Sequence, residues 1–500
     1  MNDKAWLEGV QTHPNEVFVG GRWESADGGQ LLLTDPATEE ILGVACDAGP
    51  KAVDTAVRAA RKAFDTGPWP QWSLERRAEV LGRLLDGVAD VGEEFARTQT
   101  AQMGAPISVS RALVGGGARM YGAYLEGASN IVWSYLRRDS VGCSLVTRRP
   151  QGVVGVVIPW NGPLSSLVAK VVPALLMGCA VVVKPAPETP IEAGRFAEIG
   201  SEVGVPDGVI NVVTGGVVTG EALVKHPGVD RISFTGSSAA GRRVGEICGH
   251  RLGRVSLELG GKSAAIVLPD APLEPTARDL VNGNFFNSGQ ICVAVSRVLL
   301  PDSRHDEFLD AICDIAATMV VGDPRADKTQ LGPLVSARHR ERVEAHVVAG
   351  RTAGARLVFG GGRPIGLDRG WYVEPTVFAD VTNDMAIAQE EIFGPVMSVL
   401  SYKSVDEAVA IANDSAYGLH GAVFAADPNE ALALSRRIRS GTVSVNTANL
   451  TPGTPYGGVG ASGIGREHGR EGLESFLDLH AYVIPAALAD EMVGAGVPVA

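Results

Sequence analysis

The sequence predicts a doubly wound α/β protein, built on a parallel β-sheet with helices on both faces. Between residues 150 and 270, short apolar runs rich in β-branched residues alternate with segments of helical length. Proline and glycine stand at the boundaries of these segments, where helices commonly start and end. Strands that are apolar throughout and are separated by helices indicate a parallel sheet that is covered on both sides.

Five strands and three helices are predicted in this region. The strands are, in chain order, GVVGVVIP, CAVVVKP, GVINVVTG, RISFTG and RVSLELGG. The helices are expected at 163–177, 188–203 and 237–250, and the first of them opens on Pro163 and closes on Gly178. Because parallel strands bring their carboxyl ends to one edge of the sheet, we expect a ligand to bind along that edge.

Composition and charge disfavour several classes of function. The chain has 500 residues, too many for one hydrophobic core, and we expect two or three domains. The formal net charge is −13 with no basic block, which disfavours a nucleic-acid partner and an anionic membrane surface. The six cysteines are scattered singly without a C-x-x-C pair, so neither a metal site nor a disulfide framework is expected.

No targeting or membrane segment is expected. The N-terminal stretch MNDKAWLEGVQTHPNE lacks the basic and apolar regions of a signal peptide. The longest apolar run, VVPALLMGCAVVV, lies between Lys170 and Lys184 and contains Pro173 and Gly178. It is shorter than the ~20 residues that a membrane span needs. We therefore expect a cytoplasmic protein.

Polar residues follow four of the predicted strands at the expected ligand-binding edge. Asn161 comes after the first strand, Lys184 ends the second, and Glu258 ends the fifth, ahead of a Gly-Gly pair. The fourth strand runs into FTGSSAAG, which is not the G-x-G-x-x-G fingerprint. With Gly236 before the helix and Ser237 in its first turn, this helix start fits a phosphate site or a plain capped helix. Taken alone, Lys184 is more typical of a solvated charge at a strand end.

Cys292, in FFNSGQICVA, is a candidate nucleophile. Considered alone, a free cysteine is more often a buried apolar residue. The predicted neighbours favour a nucleophile, because Glu258 is expected to be shielded and basic near neutral pH, and the Asn161 amide can stabilise an oxyanion. No histidine occurs in these motifs, which disfavours a papain-like hydrolase. A thiol combined with a nucleotide site predicts oxidation of an aldehyde through a thioester.

Seven motifs give the sequence a resemblance to the aldehyde dehydrogenase superfamily along nearly its whole length. They are PWNGPL, VVVKPAPETP, ISFTGSSAAG, LELGGKS, FFNSGQIC, EEIFGPV and PYGGVGASGIGREHG, in the family's order and spacing. The resemblance implies NAD(P)-dependent, non-acylating oxidation of an aldehyde to the acid. It implies Cys292 as nucleophile, Asn161 with the Cys292 N–H as oxyanion hole, and Glu258 as the base that activates water. Lys170 and Glu467 match a proton relay, and each also has an ordinary structural interpretation.

The resemblance also implies how the cofactor is held. Lys184 is similar to the lysine that binds the adenosine ribose, and Ser237 to the serine beside the pyrophosphate. Glu391 is similar to the ligand of the nicotinamide ribose, with Phe393 packed near the ring. The remaining cofactor-binding positions are Ile158, Pro159, Trp160, Gly236 and Gly260.

Two departures from the family pattern bear on specificity. Pro187 stands where many NAD-preferring members carry a glutamate, and this departure leaves the choice between NAD and NADP open. Because no arginine stands nearby in the sequence to favour a 2′-phosphate, NAD is the expected cofactor and NADP the alternative. Gly162 and Ala169 replace two aromatic residues of the substrate tunnel, and Tyr456 remains as an aromatic wall. The wider tunnel predicts a bulky or apolar aldehyde.

Three alternatives to this function stay open at the level of sequence. A CoA-acylating semialdehyde dehydrogenase would use the same thiol, although such members tend to lack the glutamate found at Glu258. A catalytically silent binding or structural protein would keep the fold alone. A cysteine esterase would need neither Lys184 nor Glu391.

The resemblance further predicts how the chain is organised. Four units are expected: a dinucleotide-binding domain, a catalytic domain, an oligomerisation arm and a returning segment that lines the site. Their residues are, in that order, 1–127 with 151–260, 261–442, 128–150 with 478–490, and 443–477. The arm is expected to join the subunits of a dimer or tetramer. The last stretch, ADEMVGAGVPVA, is expected to be a loose tail or to become ordered on assembly.

Overall fold

The computed structural model of the protein describes residues 13–499, which form two large β-sheets, a three-stranded sheet, a two-stranded sheet and the helices that cover them. Most of the N-terminal stretch in which no signal peptide is expected lies outside the described residues. No helix within the described range is long and apolar enough to cross a membrane.

The described residues contain twenty strands. They are β1 (Glu16–Val19), β2 (Arg22–Ser25), β3 (Gly29–Thr34), β4 (Ile41–Asp47), β5 (Ser134–Arg138), β6 (Cys143–Pro150), β7 (Val153–Val157), β8 (Ala180–Lys184), β9 (Ile210–Val212), β10 (Arg231–Thr235), β11 (Arg254–Glu258), β12 (Ala264–Val267), β13 (Arg297–Pro301), β14 (Arg356–Phe359), β15 (Thr376–Ala379), β16 (Val396–Tyr402), β17 (His420–Phe424), β18 (Thr442–Val445), β19 (Gly463–Ile464) and β20 (Leu477–Ile484).

The α-helices of the same range are α1 (Gly49–Asp65), α2 (Leu74–Asp90), α3 (Gly92–Met103), α4 (Ile107–Val114), α5 (Gly117–Ser129), α6 (Pro163–Leu176), α7 (Ile191–Glu202), α8 (Val217–Lys225), α9 (Ser238–His250), α10 (Leu273–Phe285), α11 (His305–Ala317), α12 (Ala337–Thr352), α13 (Ala386–Gln389), α14 (Val405–Asn413), α15 (Pro428–Ser435), α16 (Gly469–Glu474) and α17 (Ala486–Gly494). Short 3-10 turns lie at Trp69–Gln71, Phe286–Gly289, Asp302–Arg304 and Gly460–Ser462.

The first large sheet contains the five predicted strands at its centre. Its order is β19-β11-β10-β7-β8-β9-β1-β2, and the strands β7 to β11 are parallel to one another. Every residue of β7 and β8 is buried, as expected for strands covered on both faces. The predicted parallel sheet is therefore confirmed, and antiparallel strands that the sequence did not reveal extend both of its edges.

The three predicted helices correspond to α6, α7 and α9, with slightly shorter bounds. The sequence did not predict the helix α8, because this helix is short and its apolar residues include both exposed and buried positions. Val217 and Val218 are exposed, whereas Leu223 is buried. Ser237 caps α9 instead of lying in its first turn, and its hydroxyl accepts a hydrogen bond from the Ala240 N–H at 3.3 Å.

The second large sheet follows immediately in the chain. Only residues 259–263 separate β11 from β12 of this sheet, whose order is β14-β15-β16-β13-β12-β17-β18. Apolar clusters cover both faces, one with α10 and α11, the other with α12, α14 and α15. The strand β18 crosses the predicted boundary at 442, and the chain then returns to the first sheet, where Gly463 pairs with Glu258.

The third sheet, of order β20-β6-β5, contains the residues predicted to form the arm. Of the two expectations for the C-terminal stretch, the loose tail is wrong for the described residues, and ordering on assembly stays a prediction. The helix α17 buries Ala489 against Leu136 and Cys143, and the Leu136 N–H donates to the Pro498 carbonyl at 2.7 Å. The apolar residues of this tail therefore pack against apolar residues of the sheet β20-β6-β5 in the same chain. Pairing of the arm between subunits stays a prediction.

Candidate active site

A left-handed turn places Cys292 after the helix α10. Asn287, Ser288 and Gly289 have successive φ angles of 52°, 56° and 71°. Side-chain bonds hold this strained turn: the Asn287 amide donates to the Asn161 carbonyl at 3.1 Å, and the Ser288 hydroxyl donates to the Gly332 carbonyl at 2.9 Å. Asn287 and Gly289 are residue types that tolerate the left-handed region, and the side-chain bonds of Asn287 and Ser288 stabilise the turn.

Gly289→Ala is expected to lower the melting temperature clearly. The left-handed conformation costs a side chain ~1–2 kcal/mol, and a Cβ at Gly289 would lie 2.2 Å from the Gly394 carbonyl oxygen. Gly204→Ala is the matched control, because its φ is +94° and no atom lies within 4 Å of its Cβ. Calorimetry should show the larger loss for Gly289→Ala, and equal losses would contradict the role of the close approach.

The Cys292 thiol is half-buried and lies 3.3 Å from the Tyr456 hydroxyl oxygen. Burial raises the pKa of this thiol to about 11, and the hydrogen bond with Tyr456 acts in the opposite direction. A thiol in these surroundings is protonated at neutral pH, so its reaction as a nucleophile needs groups that favour the thiolate.

Two hydrogen-bond donors, the Asn161 amide and the backbone N–H of Cys292, are available to bind an oxyanion beside the cysteine. The Asn161 amide lies on the same cavity as Cys292 and donates one N–H to the Gln290 carbonyl at 3.0 Å, which leaves its second N–H for a ligand. Within residues 13–499, the backbone N–H of Cys292 donates to no backbone carbonyl. Gln290 itself is fully buried and its side chain accepts from the Val335 N–H at 3.0 Å, which fixes the loop.

Glu258 ends the strand β11 and is shielded from water, as predicted, with 3% of its surface exposed. Neither carboxylate oxygen has a hydrogen-bond partner among the described residues. Burial, and then the charge of Glu467, raise the pKa of Glu258 well above its usual range. The backbone of Gly457 packs closely against the Glu258 carboxylate, because a Cβ at Gly457 would lie 2.7 Å from a Glu258 oxygen. The geometry suits a general base.

Lys170 and Glu467 form a buried ion pair beside Glu258. Lys170 Nζ also lies 3.3 Å from the Ser233 hydroxyl, which stands on the strand next to β11. The backbone of Glu467 exchanges two hydrogen bonds of 2.7 Å with Tyr456. The structure thus joins the predicted relay pair to both the candidate base and the wall of the tunnel.

A cavity of ≈ 240 Å³ opens onto Cys292 and contains every predicted tunnel residue: Gly162, Ala169 and Tyr456. Leu113 and Met120, from α4 and α5, provide much of its apolar wall. His468 also lines it. Sequence analysis missed these three residues because none belongs to a motif that itself indicates chemistry.

On the cofactor side, the Glu391 carboxylate accepts a hydrogen bond from the Gly261 N–H at 3.0 Å. A Cβ at Gly260 would lie 2.1 Å from this carboxylate, so only glycine permits the contact. Lys184 is buried, and burial lowers the pKa of its ammonium to about 8. Ser237 is exposed at the start of α9, and a Cβ at Gly236 would lie 2.6 Å from the Phe234 ring.

The remaining predicted cofactor residues lie near the same edge. Trp160 and Phe393 meet edge to face with ring centroids 5.5 Å apart. His339, which sequence analysis missed, completes this aromatic cluster and donates to the Phe393 carbonyl at 2.7 Å. Burial lowers the pKa of His339 to about 4, so it is neutral. Ile158 is buried below the edge, and Pro159 lines the cavity of Cys292.

A thiol with two oxyanion donors and a shielded carboxylate defines an enzyme class that forms covalent adducts between cysteine and a carbonyl compound. Within that class, the sequence model of the aldehyde dehydrogenase family matches residues 23–482, and the chain belongs to this family. The resemblance predicted from the seven motifs is confirmed.

Curated relatives match nearly the whole chain. It is 44% identical over 466 residues to geranial dehydrogenase of Castellaniella defragrans, covering 92% of this chain and 96% of the relative. It is 42% identical over 469 residues to 3-succinoylsemialdehyde-pyridine dehydrogenase of a Pseudomonas species, covering 93% and 98%.

Solved structures agree closely with this fold. An aldehyde dehydrogenase of Mycobacterium tuberculosis complexed with NAD+ has a TM-score of 0.93 at 43% identity, covering 95% of this chain and 99% of that one. A mutant of aldehyde dehydrogenase C from Pseudomonas syringae, complexed with NAD+ and octanal, has a TM-score of 0.91 at 38% identity, covering 95% and 98%.

Proposed function

We propose that the protein oxidises an aldehyde to the carboxylic acid with NAD, in the cytoplasm. The observation that carries this proposal is the single cavity onto which Cys292, Asn161 and Glu258 all open. The identity of the relatives and the NAD+ complexes among similar structures support it.

The residues on the cofactor side fit a dinucleotide. The buried Lys184 ammonium forms no ion pair within residues 13–499, and a ribose hydroxyl would give it an acceptor. Glu391 uses one oxygen on Gly261 and keeps the other for a ribose hydroxyl. The helix start at Ser237 is exposed and offers unpaired N–H groups for a pyrophosphate. NAD supplies the hydride acceptor of the oxidation when it is bound.

The chain's own residues carry the covalent steps. The Cys292 thiolate adds to the carbonyl carbon, and the Asn161 amide and Cys292 N–H donate to the resulting oxyanion. Oxidation leaves a thioester on the sulfur. Glu258 takes a proton from water, whose oxygen attacks the thioester carbonyl, and the acid leaves as the sulfur is released. The presence of Glu258 favours water over CoA in this last step.

We further propose a bulky, apolar aldehyde as the substrate. Gly162 and Ala169 leave space in the cavity, and Leu113, Met120 and Phe286 give it an apolar wall. An apolar chain buried there contributes ~0.8 kcal/mol per methylene group, which favours longer substrates over acetaldehyde. The relatives named for geranial and for a pyridine semialdehyde are consistent with a roomy site.

Formation of NADH by the purified full-length protein tests the function. The aldehydes should span short aliphatic, long-chain, branched, aromatic and carboxylate-bearing compounds, each with NAD or NADP and with or without CoA. We expect turnover of apolar aldehydes with NAD alone and the free acid as product. Turnover that requires CoA, or formation of the acyl-CoA, would contradict the role of Glu258. No turnover of any aldehyde would contradict the function itself.

Ala169→Trp tests the substrate class. The indole would fill the cavity beside Cys292, and we expect kcat/KM for a bulky aldehyde to fall at least ~10-fold. Propanal, which needs little of the tunnel, is the internal control and should be oxidised as by the wild type. Steady-state kinetics measures kcat/KM for both substrates. An equal fall in kcat/KM for the bulky aldehyde and for propanal would mean that Ala169 does not limit substrate size.

We also propose that the sheet β20-β6-β5 is the contact between subunits and that the domains divide as predicted from the sequence. The exposed apolar residues Leu479 and Val483 on β20, 61% and 87% exposed in the single chain, support this assembly. A monomer in sedimentation velocity would contradict it.

A further inference from the structure

Tyr456, expected only as a wall of the substrate tunnel, touches the reacting sulfur. Its hydroxyl oxygen lies 3.3 Å from Cys292 Sγ. In the described part of the chain, no other side chain forms a hydrogen bond with this hydroxyl or this sulfur, and the sulfur also contacts the backbone N–H of Cys292 itself. The two side chains are thus joined to each other across 164 positions of sequence.

The direction of this hydrogen bond depends on the protonation of the two groups. Burial raises the pKa of the Tyr456 phenol well above its usual range, so the hydroxyl keeps its proton. When Cys292 is a thiolate, the sulfur can only accept, and the phenol is the donor. A hydrogen bond donated to the charged form of a group favours that form.

The other titratable groups that face the thiol act against the thiolate. Glu391 and Glu258 both raise the pKa of the Cys292 thiol when they are charged. The Tyr456 hydroxyl lowers it. The same phenol also faces the carboxylates of Glu258 and Glu467, which oppose its ionisation and keep it a donor.

Tyr456 is held in place at both its backbone and its ring. Its N–H and carbonyl each make a 2.7 Å hydrogen bond with Glu467, whose carboxylate is bound by Lys170. Its ring centroid lies 5.6 Å from that of His468, and His468 Nδ1 lies 2.9 Å from the Tyr124 hydroxyl. These contacts fix the orientation of the Tyr456 side chain, and its hydroxyl therefore lies next to the sulfur of Cys292.

We propose that Tyr456 is a catalytic residue whose hydroxyl donates to the Cys292 sulfur and favours the thiolate that attacks the aldehyde. The thiol proton passes to solvent when the thiolate forms, and Tyr456 keeps its own proton throughout. The same hydroxyl donates to the sulfur when the carbon–sulfur bond of the thioester breaks and the electron pair returns to sulfur. His468 is a positioning residue for the Tyr456 ring. This inference deepens the proposed function and rests on it only for the identity of the reaction.

Alkylation of Cys292 by iodoacetamide tests the proposal without aldehyde or NAD. The rate is measured across a pH series for the wild type and Tyr456→Phe, and peptide mass spectrometry follows Cys292 alone. We expect the midpoint of the Tyr456→Phe profile to move to higher pH by about one unit, with alkylation ~10-fold slower below it. Tyr402→Phe is the matched control, because it removes a buried hydroxyl that, among the described residues, donates to the Val267 carbonyl alone, at 2.6 Å.

The His468→Phe variant provides a second test that leaves the hydroxyl in place. We expect a smaller shift in the same direction, because a ring is kept while the bond to Tyr124 is lost. An unchanged profile in Tyr456→Phe, with the melting temperature of the wild type, would overturn the proposal and leave Tyr456 as a tunnel wall. A shifted profile in a protein that oxidises no aldehyde would sustain the role of Tyr456 and reject only the proposed function.

Discussion

Cys292→Ser is expected to lower the steady-state rate of aldehyde oxidation by ~10³-fold or more, because a hydroxyl is a far weaker nucleophile than a thiolate. The surroundings cannot compensate for this change. Burial already raises the pKa of the thiol to about 11, and no histidine forms a hydrogen bond with it in the described chain. A serine hydroxyl in the same place would stay protonated throughout the working pH range.

Formation of NADH and of a covalent acyl adduct, detected by intact mass, measures this effect. Cys313→Ser is the control, because this cysteine is also half-buried but stands on α11, away from the cavity. Its activity should equal that of the wild type. Retention of more than a tenth of the activity in Cys292→Ser would mean that the oxidation does not proceed through the thiol.

The site residues that the sequence predicted are those at the ends of parallel strands, because a parallel sheet places these ends along one edge. Asn161 comes after β7, whereas Lys184 and Glu258 are the last residues of β8 and β11, so that all three lie at one edge of the sheet. A run of apolar residues and the residue that ends it are both local features of a sequence. Their arrangement then follows from the topology of the fold.

The parts that the sequence did not predict depend on contacts between distant segments. The bond between Cys292 and Tyr456 joins two loops, and neither loop shows a periodic pattern. The sequence did not predict the tail helix α17, because its apolar residues pack against Leu136 and Cys143, which lie far away in the chain. The edge strand β19 has two residues, too few for a pattern, and the pairing of Gly463 with Glu258 defines it.

Glu258→Gln is expected to separate the two halves of the reaction. Without its base, the thioester would be hydrolysed ~10²–10⁴-fold more slowly, whereas the first oxidation would still occur. A rapid burst of about one NADH per active site should therefore be followed by almost no turnover. Stopped-flow measurement of the burst, together with the mass of the trapped acyl-enzyme, distinguishes this result from a general loss of activity.

The pH dependence of the wild type should report the same residue. Burial and the charge of Glu467 raise the pKa of Glu258, and only its deprotonated form accepts a proton from water. The steady-state rate should therefore rise with pH as Glu258 ionises, and this rise should be absent in Glu258→Gln. Glu192→Gln is the matched control: this carboxyl is equally buried, has its pKa raised to about 7, and bonds to Gln102 away from the site. Equal losses of burst and steady-state rate in Glu258→Gln would instead place Glu258 before the oxidation, as the base for the thiol.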